Sequence, residues 1–115
     1  MAHFLRLKKN REYRKVYKYG RKVADRNIVL FVLANRTGDS RFGFTVSKKV
    51  GKAVVRNKVR RWFKEACRHH VHEFPGSNDY VLLARKSVAD KGYSAVEDSL
   101  LKLLKKVVLA KGQKG

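Results

Sequence analysis

The sequence predicts an α+β fold: a single-domain sandwich in the order α-β-β-α-β-α, with a central sheet and a basic crossover helix. Three observations lead to this prediction. A chain of 115 residues, 43% of them hydrophobic, is long enough for one core and too short for two. Helix signals occur in three segments, 11–19, 52–73 and 94–109. Strand-like stretches fall between these segments, at 27–34, 41–47 and 79–84.

In the first half of the chain, Asn10 is a candidate N-cap for the first helix and Gly20 a candidate stop. Residues 27–34 are rich in β-branched and large apolar side chains, which favours a strand, and residues 36–40 have turn composition. Residues 41–47 alternate large apolar with small or polar side chains, as a half-buried strand does. The two strands should therefore be neighbours in the chain.

In the second half, Pro75 ends the second helix. The short apolar run at 79–84 is typical of an interior strand. Ser94 and Glu97 have the spacing of a capping box before the strongly amphipathic last helix. We expect residues 111–115 to form a frayed tail.

The second helix is the most informative segment, because its residues sort onto two sides. An apolar stripe is formed by Val59, Trp62, Phe63, Ala66 and Cys67. The adjoining side carries Arg56, Asn57, Arg60, Arg61, Lys64 and Arg68, with Lys58 beyond them and one acid, Glu65, nearby. Together with Lys48, Lys49 and Lys52 just before the helix, we call these basic residues and Asn57 the basic arc. Exposed helices normally mix charges of both signs, since like charges four residues apart oppose the helix. A polyanion would relieve this repulsion, and the natural polyanion is nucleic acid.

The net charge of +20 supports the same interpretation, because it is unevenly distributed. Residues 1–68 contain 21 of the 29 basic residues and only four of the nine acidic ones. Charge gathered in one part of a chain with a pI near 10.6 is the electrostatic signature of a nucleic-acid binder.

The sequence offers little for catalysis or for the secretory pathway. Cys67 is the single cysteine, so we expect neither an internal disulfide nor a disulfide-linked partner, and the absence of a signal peptide or membrane helix predicts a cytoplasmic protein. Cys67 with His69, His70 and His72 has no common zinc spacing, so we expect no protein-bound metal. No carboxylate pair or Ser-His-Asp arrangement stands out, which favours a binding protein.

Several segments resemble the protein subunit of bacterial ribonuclease P. The resemblance rests on Ala53–Arg61, on Leu7–Asn10 with Tyr13 and Tyr17, on Gly43–Gly51 and on Tyr80–Arg85. Two departures are small: Lys58 stands where arginine is frequent, and Phe63 is bulkier than the aliphatic residue expected there.

The aromatic residues Tyr13, Tyr17 and Phe31 allow two interpretations. Composition alone favours core positions, but three helices can hardly cover both faces of a three-stranded sheet, and single-stranded RNA is held by stacking on aromatics beside basic residues. The resemblance implies that these three residues line a cleft for the 5′ leader of precursor tRNA, and we favour that interpretation.

The resemblance further implies a single RNA-binding domain over 1–115, and a βαβ crossover of unusual left hand that the usual rule opposes. It implies that the partners are the catalytic RNA and precursor tRNA, that the RNA carries the active site and holds most of the Mg²⁺, and that no organic cofactor takes part. The protein would then be the non-catalytic subunit of an endoribonuclease that matures the tRNA 5′ end. A ribosomal or RNA-chaperone protein remains the alternative from composition, and a self-sufficient nuclease is disfavoured.

Overall fold

A five-stranded mixed sheet organises the fold in the computed structural model, which describes residues 4–113 and the side chains of residues 4–107. The elements are β1 (Leu5–Arg6), α1 (Asn10–Tyr19), β2 (Arg21–Ala24), β3 (Ile28–Ala34), β4 (Arg41–Thr45), α2 (Ala53–His69), β5 (Asn78–Ala84) and α3 (Tyr93–Gln113). Short 3₁₀ turns lie at Lys48–Val50, Val71–Glu73 and Lys86–Asp90.

The strand order across the sheet is β1-β4-β5-β3-β2. Strands β4 and β5 are parallel neighbours, so α2 is the crossover helix between them, as the sequence predicts. β1 pairs parallel with β4, and β3 pairs antiparallel with both β5 and β2. The α+β sandwich is confirmed; the hand of the crossover stays a prediction.

The sequence does not predict the two outer strands. β1 has only two residues, and β2 is largely exposed with two basic residues among its four. Short or charged strands are typical of sheet edges, where they discourage pairing with other chains, but they carry little of the apolar pattern that identifies a strand.

The predicted boundaries of α1 and of the strand at 41–47 need correction. α1 begins at Asn10, so Lys9 takes the N-cap position predicted for Asn10, and the Glu12 carboxylate accepts the backbone N–H of Lys9 (3.0 Å). The strand predicted to reach residue 47 ends at Thr45, because the chain turns into a 3₁₀ segment at Lys48.

The predicted boundaries of α2 and α3 also need correction. α2 ends at His69, and a 3₁₀ turn follows where the sequence predicts helix to residue 73. α3 begins at Tyr93, so Ser94 is already inside the helix and the predicted capping box is wrong. α3 then continues past the predicted end at 109 to Gln113, as Ala110 and Lys111 favour helix, so the predicted frayed tail is wrong over residues 111–113. Lys114 and Gly115 lie outside the described residues.

The main core lies on the face of the sheet that α2 and α3 cover. The fully buried residues there include Ile28, Leu30, Phe42, Tyr80 and Leu82 from the strands, and Val59, Phe63, Leu100 and Leu103 from the helices. Phe42 stacks between Phe4 and Tyr80, with ring centroids 5.2 and 5.4 Å away. Closely packed aromatic rings of this kind fix strand register as well as excluding water.

In the described part of the chain, α1 is the one helix that covers the opposite face of the sheet. Among residues 4–107, Leu7, Val16 and Val81 form a small buried cluster there, with Tyr13, Phe31 and Leu33 packed partly against it. The sequence argument that the helices cannot cover both faces is confirmed, and the uncovered part of this face is where a ligand can reach the sheet.

The junction between α2 and α3 is held by ionic groups. His70 contacts Glu73 through Nδ1 and Glu97 through Nε2 (2.8 Å), and Tyr93 donates its hydroxyl to Glu97 (3.2 Å). Hydrogen bonds that the His70 ring donates to the two glutamate carboxylates raise the pKa of His70 above its usual 6.5. A histidine whose pKa is raised on folding stabilises the fold below pH 6.5 and loses that contribution as the pH rises through the folded-state pKa.

The stability of the protein should therefore depend on pH through His70. The His70→Gln variant should be less stable than the wild type at about pH 6. This difference in the free energy of unfolding should shrink as the pH rises to about 9, because the charge-dependent contribution of His70 disappears. Urea unfolding of both proteins at several pH values measures the gap, and the paired comparison removes other titrating groups. A gap that is constant or widens with pH would contradict this account.

Candidate nucleic-acid interface

The basic arc lies on α2 and on the turn before it. Its exposed members are Lys48, Lys49, Lys52, Asn57, Lys58, Arg61, Lys64 and Arg68, while Arg56 and Arg60 are half-buried at its edge. The other side of the helix is the predicted apolar stripe: Val59, Phe63, Ala66 and Cys67 are buried and Trp62 is half-buried. α2 thus anchors itself in the core by one side and presents positive charge on the other.

The two half-buried arginines are held in defined positions. Arg56 Nε donates to the carbonyl of Gly51 (3.2 Å). Arg60 donates to Asn57 Oδ1 (3.1 Å) and to the carbonyl of Val46 (3.4 Å), the residue that follows β4. Side chains fixed in this way lose less conformational entropy when they bind a ligand.

A second feature lies where α1 crosses the open face of the sheet. The Tyr13 ring rests on Gly43 of β4, so closely that a β-carbon at Gly43 would fall 2.6 Å from the ring. Tyr17 hydrogen-bonds Thr45 through its hydroxyl (2.5 Å) and meets the Phe31 ring edge-on, with centroids 4.9 Å apart. These aromatic side chains and the strand floor form what we call the aromatic cleft.

The structure combines the two interpretations that the sequence allows for these aromatics. Tyr13 and Phe31 pack against the small cluster of Leu7, Val16 and Val81, yet both stay half-buried, and Tyr17 is 37% exposed. Burial raises the pKa of Tyr17 above its usual value, so its hydroxyl stays protonated and able to donate at neutral pH. The rings are therefore firmly seated with accessible surface remaining.

Sheet pairing extends the floor of the aromatic cleft. Gly43, Val81, Phe31 and Lys22 are successive cross-strand partners on β4, β5, β3 and β2, so they form one row on the face that α1 partly covers. Lys22, which the sequence gives no reason to single out, lies exposed at the far end of that row.

The basic arc and the aromatic cleft meet. A hollow of about 470 Å³ is lined by Tyr13, Tyr17 and Thr45 on the cleft side and by Arg60 on the α2 side. Arg14 of α1 also lines it, a residue that sequence analysis missed. A strand lying in the cleft would therefore reach arginine side chains without leaving the surface.

A further basic hollow of about 520 Å³ lies at the carboxyl ends of β4 and β5, where Lys49 is joined by Arg26, Arg85 and Lys86. The last three residues are not among those predicted from the sequence. The signal was present, since Arg85 and Lys86 directly follow an interior strand, and the carboxyl ends of neighbouring parallel strands are a common place for ligand sites.

The histidine and cysteine side chains do not converge. Cys67 is fully buried, which raises the pKa of its thiol, while His70 is engaged with two glutamates. Among the residues that the structure describes, no group of three His, Cys, Asp or Glu side chains is arranged to hold a metal ion.

Comparison with known proteins decides the family. The family model described as Ribonuclease P matches residues 1–108. The chain belongs to the ribonuclease P protein family. The ribonuclease P protein component of Pelotomaculum thermopropionicum is 47% identical over 100 residues, which cover 87% of this chain and 89% of the relative. That of Desulforamulus reducens is 43% identical over 97 residues, covering 84% and 86%.

Solved structures of ribonuclease P proteins share the fold. The Staphylococcus aureus protein superposes with a TM-score of 0.84 at 33% identity, covering 91% of this chain and 96% of its own. The Thermotoga maritima protein gives a TM-score of 0.80 at 31% identity, covering 88% and 96%.

Membership in the ribonuclease P protein family makes the chain a subunit of the ribonuclease P ribonucleoprotein enzyme, and the family implies tRNA processing and a catalytic RNA partner. This favours ribonuclease P over the ribosomal or chaperone alternative. No helix in the described part of the chain is long and apolar enough to span a membrane.

The close approach of Tyr13 to Gly43 gives a local test of the aromatic cleft. Gly43→Ala should displace the Tyr13 ring, since the added methyl group would occupy the space that the edge of the ring now fills. The overpacking should lower the free energy of unfolding by about 1–3 kcal/mol. NMR signals of the Tyr13 ring and a thermal melt measure both effects. Gly76→Ala is the matched control, because its β-carbon meets nothing within 4 Å. Unchanged Tyr13 signals would contradict the geometry.

Proposed function

We propose that this ribonuclease P protein binds the catalytic RNA through the basic arc and the single-stranded 5′ leader of precursor tRNA through the aromatic cleft. It thereby assists endonucleolytic removal of the leader by an active site in the RNA, where Mg²⁺ is mainly held. The observation that carries the proposal is the shared hollow, in which Arg60 borders the cleft and also belongs to the basic arc. Because the two surfaces share this hollow, one protein could contact the catalytic RNA and the leader side by side.

The charge of α2 supports the assignment of the basic arc to the catalytic RNA. A folded RNA offers closely spaced phosphates, and planar guanidinium groups match phosphate oxygens with two hydrogen bonds. Arg61 and Arg68 are exposed in this arc, and the only acidic residue of α2 is Glu65. Phosphates would remove the repulsion between these like charges.

The shape of the aromatic cleft supports its assignment to a single strand. Tyr17 and Phe31 offer ring surface for stacking, and single-stranded nucleic acids are held by aromatic stacking beside cationic side chains. A double helix presents its bases edge-on and keeps them stacked on each other, so it cannot use these rings in the same way.

The first test of the proposal concerns the basic arc. Arg56→Ala, Arg60→Ala and Arg61→Ala combined should weaken binding to the catalytic RNA and reduce the log–log salt slope by roughly 2–3, since each lost phosphate contact removes about 0.7–0.9. A titration of the RNA at several salt concentrations measures the slope.

The matched control removes the same charge elsewhere. Lys91, Lys105 and Lys106 are exposed and lie outside the arc, so their combined alanine variant should change the slope much less. Because Arg56 and Arg60 also donate to backbone carbonyls, thermal melts of both triple variants must show that the fold survives. Equal slopes for the two variants would refute the assignment of the arc.

The second test concerns the aromatic cleft. Alanine at Tyr13, Tyr17 or Phe31 should lower the affinity of the holoenzyme for precursor tRNA by about 1–3 kcal/mol per lost stacking contact. The loss should occur only when the leader is long enough to enter the cleft, and should vanish for a leader of one nucleotide. Dissociation constants for both substrates with each variant measure it.

A purely structural role would give a different result. Truncation of a core aromatic costs on the order of 3–5 kcal/mol of folding stability and would lower activity for both leader lengths alike. Equal losses for both substrates, together with a large fall in melting temperature, would therefore show that these rings serve the core and not the leader.

A further inference from the structure

One arginine joins three elements at the start of α1. Arg41 of β4 binds Asp79 of β5 with two hydrogen bonds, from Nε to Oδ1 and from a terminal nitrogen to Oδ2, both 2.8 Å long. Its other terminal nitrogen binds Glu12 Oε2 of α1 at 2.9 Å. A guanidinium can satisfy two carboxylates at once in this way, whereas a lysine ammonium cannot reproduce the planar fork.

We call the contacts of Arg41 with Asp79 and Glu12 the ionic bridge, and its Asp79 end is firmly held. Its side chain is only 7% exposed, and Asn35 Nδ2 donates a further hydrogen bond to Oδ1 (2.8 Å). Asp79 and Arg41 are register partners on parallel strands, so the pair is fixed by the sheet itself.

The Glu12 end controls the beginning of α1. Glu12 Oε1 accepts the backbone N–H groups of Lys9 (3.0 Å) and Lys8 (3.2 Å), while Oε2 faces Arg41. The bond from the Lys9 amide is the main reason why the pKa of Glu12 is lowered, so the carboxylate stays charged at neutral pH. One side chain thus joins the first turn of the helix to β4.

The aromatic cleft is built immediately beside this bridge. Tyr13 follows Glu12, and Gly43, on which its ring lies, is two residues after Arg41 on the same face of β4. The apolar cluster beneath α1 is small: Val16 is the residue of α1 that is fully buried in it. The ionic bridge is the contact that holds α1 to the sheet next to Tyr13, while Tyr17 holds it one turn further along through Thr45.

We propose that Arg41, through Glu12, is a positioning residue for the leader-binding cleft. The proposal rests on the proposed function of that cleft. Arg41 would not touch the leader; it would keep α1 at the distance from the sheet at which the tyrosine rings are ready to stack. Holding the rings in place before binding reduces the entropy lost on binding, so loosening the bridge should weaken leader affinity without removing a contact to RNA.

The test uses Glu12→Gln and Arg41→Lys in the reconstituted holoenzyme. Both avoid leaving Asp79 without a cation, which Arg41→Ala would do. We expect each variant to weaken the affinity for a precursor with a long leader by about three- to tenfold. The affinity for a one-nucleotide leader and for the catalytic RNA should not change. The double variant should lose little more than Arg41→Lys alone, since both changes break one bridge.

The matched control is Glu97→Gln, which breaks the ion pair of α3 with His70, the residue after α2, at comparable exposure and away from α1. It should leave leader affinity unchanged. Losses of equal size for long and short leaders, or a loss in the control as large as in Glu12→Gln, would overturn the proposal in favour of a general structural role.

The outcome also separates this proposal from the one on which it rests. If alanine variants of Tyr13, Tyr17 and Phe31 depend on leader length but Glu12→Gln and Arg41→Lys do not, the positioning role is wrong and the leader cleft stands. If none of the five depends on leader length, the leader cleft itself is wrong, and the positioning role with it.

Discussion

The uneven cover of the sheet is the constraint on which the rest of the structure depends. α2 and α3 both lie on one face and build the main core there, and over the described residues α1 is the one helix on the other face. A fully covered sheet would have buried Tyr17 and Phe31 as ordinary core residues. Because one helix cannot cover five strands, part of a folded and rigid sheet surface stays accessible, and rigid elements hold binding side chains more accurately than loops do.

The same arrangement gives α2 its two roles. Its apolar stripe is inserted between the sheet and α3, so the helix does not depend on favourable charge pairs along its exposed side. Burial of residues such as Val59 and Phe63 can therefore offset the repulsion among the lysines and arginines of the basic arc. A free helix with this sequence would lack that compensation, and a bound polyanion would add to it.

Much of this could be predicted from sequence because the signals are local. The three helices, the three inner strands and the two sides of α2 follow from residue period and local composition, and the resemblance over Ala53–Arg61 pointed to the family that the comparisons show. The edge strands could not be predicted, since β1 and β2 are too short or too polar to show a period. The role of Arg41 could not be predicted either, because Glu12 and Asp79 are 29 and 38 residues away in the chain and meet only through the sheet.

The central claim is that two surfaces of one protein bind two different RNA molecules, and site-directed cross-linking tests it most directly. A photoreactive group would be attached to a single introduced cysteine in each of three variants. Lys22→Cys places it at the exposed cross-strand partner of Phe31, Arg61→Cys places it on α2, and Lys106→Cys on α3 is the control. The fully buried Cys67 would escape labelling in the folded protein. The account predicts cross-links from position 22 to the leader, from position 61 to the catalytic RNA and from position 106 to neither. Cross-links from position 22 to the catalytic RNA alone would contradict it.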